Sequence, residues 1–272
     1  MDSLDIIRLF NLKGKIALVT GGSRGIGRMI AQGFLQAGAT VYIAARKQGP
    51  CEQTKQELSQ YGSCTSIAAD IGTAEGRSQL IEKLSKHESR LSILVNNAGT
   101  VWGARLDEYP DNGFSKVMNL NVNALFALSR DLAPMLAKGA SFEDPARIIN
   151  IGSIDGLHIP TVARVGTYAY TASKAAVHHL TRHLAIALAP KHITVNAIAP
   201  GFYPSKMTDA SISKYRKDIE HNCPMKRIGK PEEMAGIAVY LCSLAGAYTN
   251  GAVIPVDGGT SINHEHVHTT ID

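Results

Sequence analysis

Short apolar runs rich in β-branched residues alternate with longer amphipathic segments along nearly the whole chain. Residues 15–20, 40–45, 65–69, 92–96, 147–152, 193–198 and 253–256 read as strands. Residues 25–37, 50–61, 73–86, 112–136, 168–189 and 231–244 read as helices, and in the first of these Ile26, Ile30, Phe34 and Leu35 share one side. Each crossover helix must lie back on the sheet, so this alternation gives a parallel sheet covered on both faces. The expected fold class is α/β, a doubly wound parallel sheet of about seven strands. No linker or internal repeat divides it, so residues 1–262 are expected to form one domain, with a polar tail at 263–272.

The segment Thr20-Gly21-Gly22-Ser23-Arg24-Gly25-Ile26-Gly27 falls between the first strand and the first helix. Glycines there let the backbone turn tightly and approach a pyrophosphate resting on the helix N-terminus. That makes the sheet Rossmann-type and implies a dinucleotide. The second strand ends Ile43-Ala44-Ala45-Arg46-Lys47. An NAD site wants a carboxylate there for the ribose hydroxyls, and neither Ala44 nor Ala45 supplies one. Arg46, with Lys47 beside it and Arg24 in the glycine loop, suits the extra phosphate of NADP(H) through charge-assisted bonds.

Tyr170-Thr171-Ala172-Ser173-Lys174 carries the chemistry. Residues four apart on a helix are offset by about 40°, so Tyr170 and Lys174 share a face. An ammonium beside a phenol favours the phenolate, which leads to the expectation that Lys174 lowers the Tyr170 pKa. Tyr168 is offset from Lys174 by about 240° and falls on nearly the opposite face. Asn96-Asn97-Ala98-Gly99 follows the fourth strand, and Ser153 ends the fifth, at the edge of the sheet where catalysis belongs.

On these motifs the chain resembles the short-chain dehydrogenase/reductase family along nearly its whole length. Within it the chain looks most like β-ketoacyl reductases of the type tied to bacterial rhamnolipid synthesis. The likeness is local and repeated: the glycine loop, Leu94 to Ala104, Pro145-Ala146-Arg147-Ile148-Ile149-Asn150-Ile151-Gly152-Ser153, and Gly229-Lys230-Pro231-Glu232-Glu233-Met234-Ala235. The resemblance implies a catalytic tetrad of Asn121, Ser153, Tyr170 and Lys174. Asn121 is selected over Asn119 and Asn123 by the family's spacing to Phe126. Ser153 would bond the substrate carbonyl and Tyr170 would donate the proton. Lys174 would bind the nicotinamide ribose, and Asn121 would position the water that relays protons to it.

The same resemblance assigns cofactor contacts to Gly21, Ser23, Arg24, Gly25, Ile26, Gly27, Arg46 and Lys47. It adds Asp70 and Ile71 at the adenine, then Asn97, Ala98 and Gly99, Tyr170 and Lys174. A carboxamide loop follows with Pro200, Gly201, Tyr203 and Ser205. Ser153 and Tyr170 stand 17 apart, wider than the family's usual spacing, so residues 155–166 must loop out. Residues 200–224 read as a long loop with short helical pieces at 208–221, the form of a lid. Trp102 suits either the pocket or the core.

The implied function is reduction of a ketone, on a thioester or a polyketide-like molecule, with NADPH. A dehydrogenase of alcohols or polyols is the alternative, and a non-redox NADP-binding protein a third. The family's carrier-protein reductases present two basic positions to an acidic carrier. Lys191 matches one, but the other falls on Asp144, the wrong sign. The family also implies a homotetramer built on the segments 112–136 and 168–189 and the last strand.

Composition narrows the rest. The net charge of +5 comes without any basic run, which opposes a nucleic-acid partner. No apolar stretch approaches a membrane span of roughly 20 residues. Neither a secretory leader nor a zinc-ligand spacing is visible. Cys51, Cys64, Cys223 and Cys242 therefore read as reduced thiols of a cytoplasmic protein, with no metal. His264, His266 and His268 alternate in the polar tail and read as inert.

Overall fold

The structure, a computed structural model, describes residues 5–160 and 166–263. Seven parallel strands form one sheet: β1 (Ile16–Thr20), β2 (Thr40–Ala45), β3 (Cys64–Ala68), β4 (Ile93–Asn96), β5 (Ala146–Ile151), β6 (Ile193–Pro200) and β7 (Val253–Val256). Their order across the sheet is β3-β2-β1-β4-β5-β6-β7. The main crossovers are α2 (Gly25–Gln36), α3 (Gln48–Leu58), α4 (Ala74–Ser85), α5 (Asp111–Met118) with α6 (Ala124–Lys138), and α7 (Tyr168–Leu188). After β6 come α8 (Asp209–Asn222) and α9 (Pro231–Cys242). A short α1 (Ile6–Phe10), which the sequence reading did not foresee, is capped by the Asp5 carboxylate.

Alternate residues of each strand feed opposite layers. On one face Val19, Val41 and Ile43 meet Ile30 and Phe34 of α2 and Met234 and Leu241 of α9. On the other, Leu18, Leu94, Ile148 and Val195 are covered by Leu80 and Leu84 of α4, Leu128 and Leu132 of α6, and Leu184 of α7. Each such buried leucine or phenylalanine contributes roughly 1.5–3 kcal/mol. Helices α2 and α9 cross closely because residue 33 is glycine. A Cβ there would come within 2.6 Å of the Ala235 methyl.

The sheet places the site. β1 pairs with β2 on one side and β4 on the other, so the chain reverses direction of travel between β1 and β4. A crevice opens beyond the carboxyl ends of strands at such a switch point. The loops after β1 and β4 both leave from it.

One element differs from expectation. The helix foreseen at 112–136 is broken by a π-helical stretch, Asn119–Asn123, between α5 and α6. Such bulges shift side chains off the regular 3.6-residue phase. The segment foreseen as loop with short helical pieces does hold them: α8 is two short helices that meet at a kink at Tyr215 (φ −124°, ψ 22°). No described residue of α8 is fully buried. It therefore lacks the apolar stripe by which a helix is read from sequence. No helix among the described residues is long and apolar enough to cross a membrane.

Candidate active site

The glycine loop is a cradle that side chains would fill. Gly21 and Gly25 sit at φ +64° and +53°, where a Cβ is strained. A Cβ on Gly27 would strike the Asn97 amide and come within 2.5 Å of the Gly21 carbonyl oxygen. The Thr20 hydroxyl welds the two strand ends together. It donates to the Val95 carbonyl (3.1 Å) and accepts from the amides of Asn97 (3.0 Å) and Ala98 (3.1 Å). Asn97 Nδ2 donates to the carbonyls of Thr20 (2.9 Å) and Gly21 (3.2 Å). From α3 the Thr54 hydroxyl donates to the Ser23 carbonyl (2.8 Å). Backbone exposed in this way, at a helix N-terminus, fits a dinucleotide pyrophosphate.

Arg24, Arg46 and Lys47 are exposed at the rim, and among the described residues none forms an ion pair. Asp70 is exposed after β3, its carboxylate accepting from the Gly72 amide (3.0 Å). A Cβ on Gly25 would lie 3.0 Å from Ser205 Cβ, so the segment after β6 passes directly over the glycine loop. The Ser205 hydroxyl pairs with that of Thr208 (2.9 Å). Of the residues that the family resemblance assigns to the cofactor, Ile71 and Tyr203 bury their side chains and Ile26 packs partly against the core. The Tyr203 ring lies against Gly229.

Three helical segments converge on the second half of the site. Asn121 lies in the π-helical stretch and is 2% exposed. Its Nδ2 donates to the Thr100 carbonyl (3.0 Å) and the Ser173 hydroxyl (2.9 Å), and its Oδ1 accepts from the Thr100 amide (2.9 Å). Asn119 instead donates to the Gly72 carbonyl (2.9 Å), and Asn123 is exposed. Tyr170 and Lys174 share one face of α7, with Lys174 Nζ 5.4 Å from the Tyr170 ring centre. Ser153 is buried, and its hydroxyl stands near enough to the Tyr170 phenol to favour the phenolate. The Tyr168 ring turns away and packs edge-on to Tyr109 at 5.5 Å.

The electrostatics depart from the expectation that Lys174 lowers the Tyr170 pKa. Burial pushes the Tyr170 phenol up to about 12; the Ser153 hydroxyl works against this and the Asp155 charge adds to it. Lys174 Nζ donates to the Ile151 carbonyl (2.7 Å), and burial brings its ammonium down to about 8, against the pull of Asp155. Desolvation outweighs the pairing on which the sequence reading relied.

Other expectations resolve differently. Asn96 is structural: buried, it donates to Ser129 and to Asn150 (both 2.9 Å). Trp102 underlies Gly113 and has Lys116 5.7 Å from its ring centre, so it packs against α5. Asp144 is held by Lys15 (2.5 Å) and approached by the fully buried Arg147 (3.5 Å). It neutralises internal cations, which explains an acid at that place. A cavity of about 480 Å³ lies beyond β6 and β7, between Phe202, Cys223, Met225 and Gly258. None of Asn121, Ser153, Tyr170 and Lys174 lines it. Among the described residues no cluster of His, Cys, Asp and Glu could hold a metal ion, and all four cysteines are free and buried. The tail histidines and residues 161–165 of the serine–tyrosine loop lie outside the described residues.

Sequence reasoning passed over Asp155 and His178. His178 is 3% exposed and follows Lys174 by one helical turn, a spacing that could have revealed it. Asp155 lies two residues beyond Ser153, and its amide donates to the Ser153 hydroxyl (3.1 Å).

Comparison with known proteins agrees with this geometry. A family model described as enoyl-(acyl carrier protein) reductase matches residues 21–261. The rhamnolipids biosynthesis 3-oxoacyl-[acyl-carrier-protein] reductase of Pseudomonas aeruginosa is 51% identical over 252 residues, 92% of this chain and 97% of that protein. A 2-dehydro-3-deoxy-D-gluconate 5-dehydrogenase of Dickeya dadantii is 35% identical over 260 residues, 93% of this chain and 98% of that one. The solved active-site complex of Pseudomonas aeruginosa RhlG with NADP superposes with a TM-score of 0.90 at 50% identity, covering 93% of this chain and 99% of that chain. The chain belongs to the short-chain dehydrogenase/reductase family of oxidoreductases.

Proposed function

We propose that this protein is an NADPH-dependent reductase that converts a ketone, on a β-ketoacyl thioester or a polyketide-like molecule, into a secondary alcohol. One observation carries the reading: the buried Ser153 stands by Tyr170, whose ring has Lys174 Nζ 5.4 Å from its centre, on the sheet edge that also carries the glycine cradle. Two hydroxyl donors in one buried site suit an oxygen that gains negative charge. When bound, NADP(H) supplies the hydride.

The chain's own residues do the remainder. The backbone of Gly21, Ser23, Gly25, Ile26 and Gly27 holds the pyrophosphate, and Arg24, Arg46 and Lys47 hold the extra phosphate. Asp70 and the main chain of Ile71 bound the adenine; Asn97, Ala98 and Gly99 form the floor. The main chain of Pro200, Gly201 and Tyr203, with Ser205, orients the carboxamide. Lys174 holds the ribose, Ser153 the substrate oxygen, and Tyr170 gives the proton. A phenol near 12 stays protonated through the neutral range, which is the form reduction needs. Asn121 ties α7 to the Thr100 backbone and so fixes the proton route to Lys174.

The relatives' names mention an acyl carrier protein. For this chain Asp144 opposes docking of an acidic carrier, although it is partly neutralised by Lys15. A free or coenzyme-A-linked ketone is the better match. The buried, free thiols suit the reducing cytoplasm. Phe114 of α5, Phe126 of α6 and Ile186 of α7 are exposed, which supports self-association, with a homotetramer as the expected state. Light scattering at micromolar concentration should give four times the chain mass, and a monomer would contradict this.

The test of function is NADPH consumption across 3-oxoacyl-coenzyme A thioesters, the same chains on a carrier protein, aromatic polyketides and keto-sugar acids. Turnover of a thioester or polyketide ketone is expected. Turnover confined to keto-sugar acids would favour the dehydrogenase reading, which the 35% identical gluconate-type relative keeps in view.

A further inference from the structure

We propose that Asp155 is a positioning residue of the reduction: its amide fixes the Ser153 hydroxyl, and its turn, seated on α7 beside Lys174 and His178, brings a carboxylate to the catalytic groups. This rests on the reductase reading.

The backbone brings the carboxylate there. Ser153 is extended (φ −167°, ψ 155°) and caps the one-turn 3-10 helix Ile154–Gly156. The Asp155 amide donates to the Ser153 hydroxyl (3.1 Å), so the two residues move as a unit. Glycines at both ends let this turn lie directly on α7. A Cβ on Gly156 would come within 2.7 Å of the Lys174 carbonyl carbon and 2.8 Å of the Ala175 nitrogen. A Cβ on Gly152 would strike the His178 imidazole. Asp155 stands between these two glycines, over the turns of α7 that carry Tyr170, Lys174 and His178. Among the described residues its carboxylate makes no hydrogen bond or ion pair.

The neighbouring charges are few. His158 and Lys174 act on Asp155 and favour its ionised form, whereas burial holds it above the ordinary carboxylate range. Asp155 in turn raises both Lys174 and Tyr170. His178 is kept neutral in the physiological range, since burial brings it down to about 4. The strand β6 and the turn Thr260–Ile262 also pack on this segment and add no charge that acts on Asp155. Arg164 lies outside the described residues. In a poorly hydrated site such coupling is stronger than at the surface.

The sign follows. Burial brings the Lys174 ammonium down to about 8, and the Asp155 charge works against that fall. Neutralising Asp155 should let Lys174 lose its proton at lower pH and make Tyr170 easier to ionise. Reduction should weaken on the alkaline side, and oxidation of the alcohol should begin at lower pH.

Asp155→Asn preserves the amide that holds Ser153, and Asp155→Glu restores the charge. The pH dependence of kcat/KM should be measured in both directions for the wild type and both variants. In Asp155→Asn the alkaline limb of reduction should move down by roughly half to one pH unit, with the glutamate variant returning toward wild type. A second readout needs no turnover: the lysine side-chain NMR titration, with Lys174→Arg to assign the signal. Its midpoint should fall by the same amount in Asp155→Asn. Identical Lys174 midpoints in wild type and Asp155→Asn would overturn the proposal. So would a loss of activity that is uniform across pH. If no ketone is reduced but the midpoint moves, the electrostatic role stands and the reductase reading fails.

Discussion

Tyr170→Phe should reduce kcat for ketone reduction by at least about 10³-fold, equivalent to roughly 4 kcal/mol of transition-state stabilisation. The ring stays, so its packing stays; only the phenolic hydroxyl beside Ser153 is lost. Lys174 is the nearest cation, and its Nζ is engaged with the Ile151 carbonyl at 2.7 Å. The melting temperature and NADPH affinity should change little, because the lost group contributes chiefly in the transition state. Tyr168→Phe is the control. Its ring packs on Tyr109, away from Ser153, so its effect on kcat should stay within a few-fold. Wild-type turnover in Tyr170→Phe would remove Tyr170 from the role of proton donor.

The second large effect concerns the cofactor. NADPH should exceed NADH in kcat/KM by about 10- to 1000-fold, since one or two charge-assisted phosphate bonds contribute roughly 1.5–3 kcal/mol each. Arg46→Ala should lose most of that preference through a weaker NADPH complex, and Arg24→Ala part of it. Among the described residues neither guanidinium is tied up in an ion pair, so both are available to a phosphate. NADH kinetics should barely change in either variant. The preference should shrink with salt, because the contact is ionic and exposed. An NADH preference in the wild type would contradict the reading of Ala45 and Arg46.

What the sequence disclosed and what it withheld have physical causes. The buried strands were legible because a parallel sheet covered on both faces needs near-continuous apolar runs, as in Ile16–Thr20 and Thr40–Ala45. The glycine loop was legible because glycine is favoured at the positive φ values of Gly21 and Gly25 and leaves no Cβ to meet Asn97 or Ser205. Tyr170 and Lys174 were legible as a pair through helical spacing alone. The break at Asn119–Asn123 was not, since a π stretch leaves no mark in hydrophobic period. The two short helices of α8 were legible only as pieces within a loop, because they bury no described side chain completely and so carry no strong apolar stripe. The direction of the Tyr170 shift was missed because a charge pair can be read from spacing, whereas desolvation depends on everything packed around it. Asp155 escaped notice because its relation to Lys174 runs through Gly152 and Gly156, which matter only once the turn is laid on α7.

The central claim is that hydride passes from the cofactor to a carbonyl carbon with Tyr170 supplying the proton. It is tested most directly with NADPH dideuterated at the reactive nicotinamide carbon and a 3-oxoacyl-coenzyme A thioester or polyketide ketone, the product being read by mass spectrometry and NMR. One deuterium on the carbinol carbon of a secondary alcohol, absent with Tyr170→Phe, is the result predicted. Alcohol product without deuterium at the carbinol carbon, or labelling by Tyr170→Phe at the wild-type rate, would contradict it.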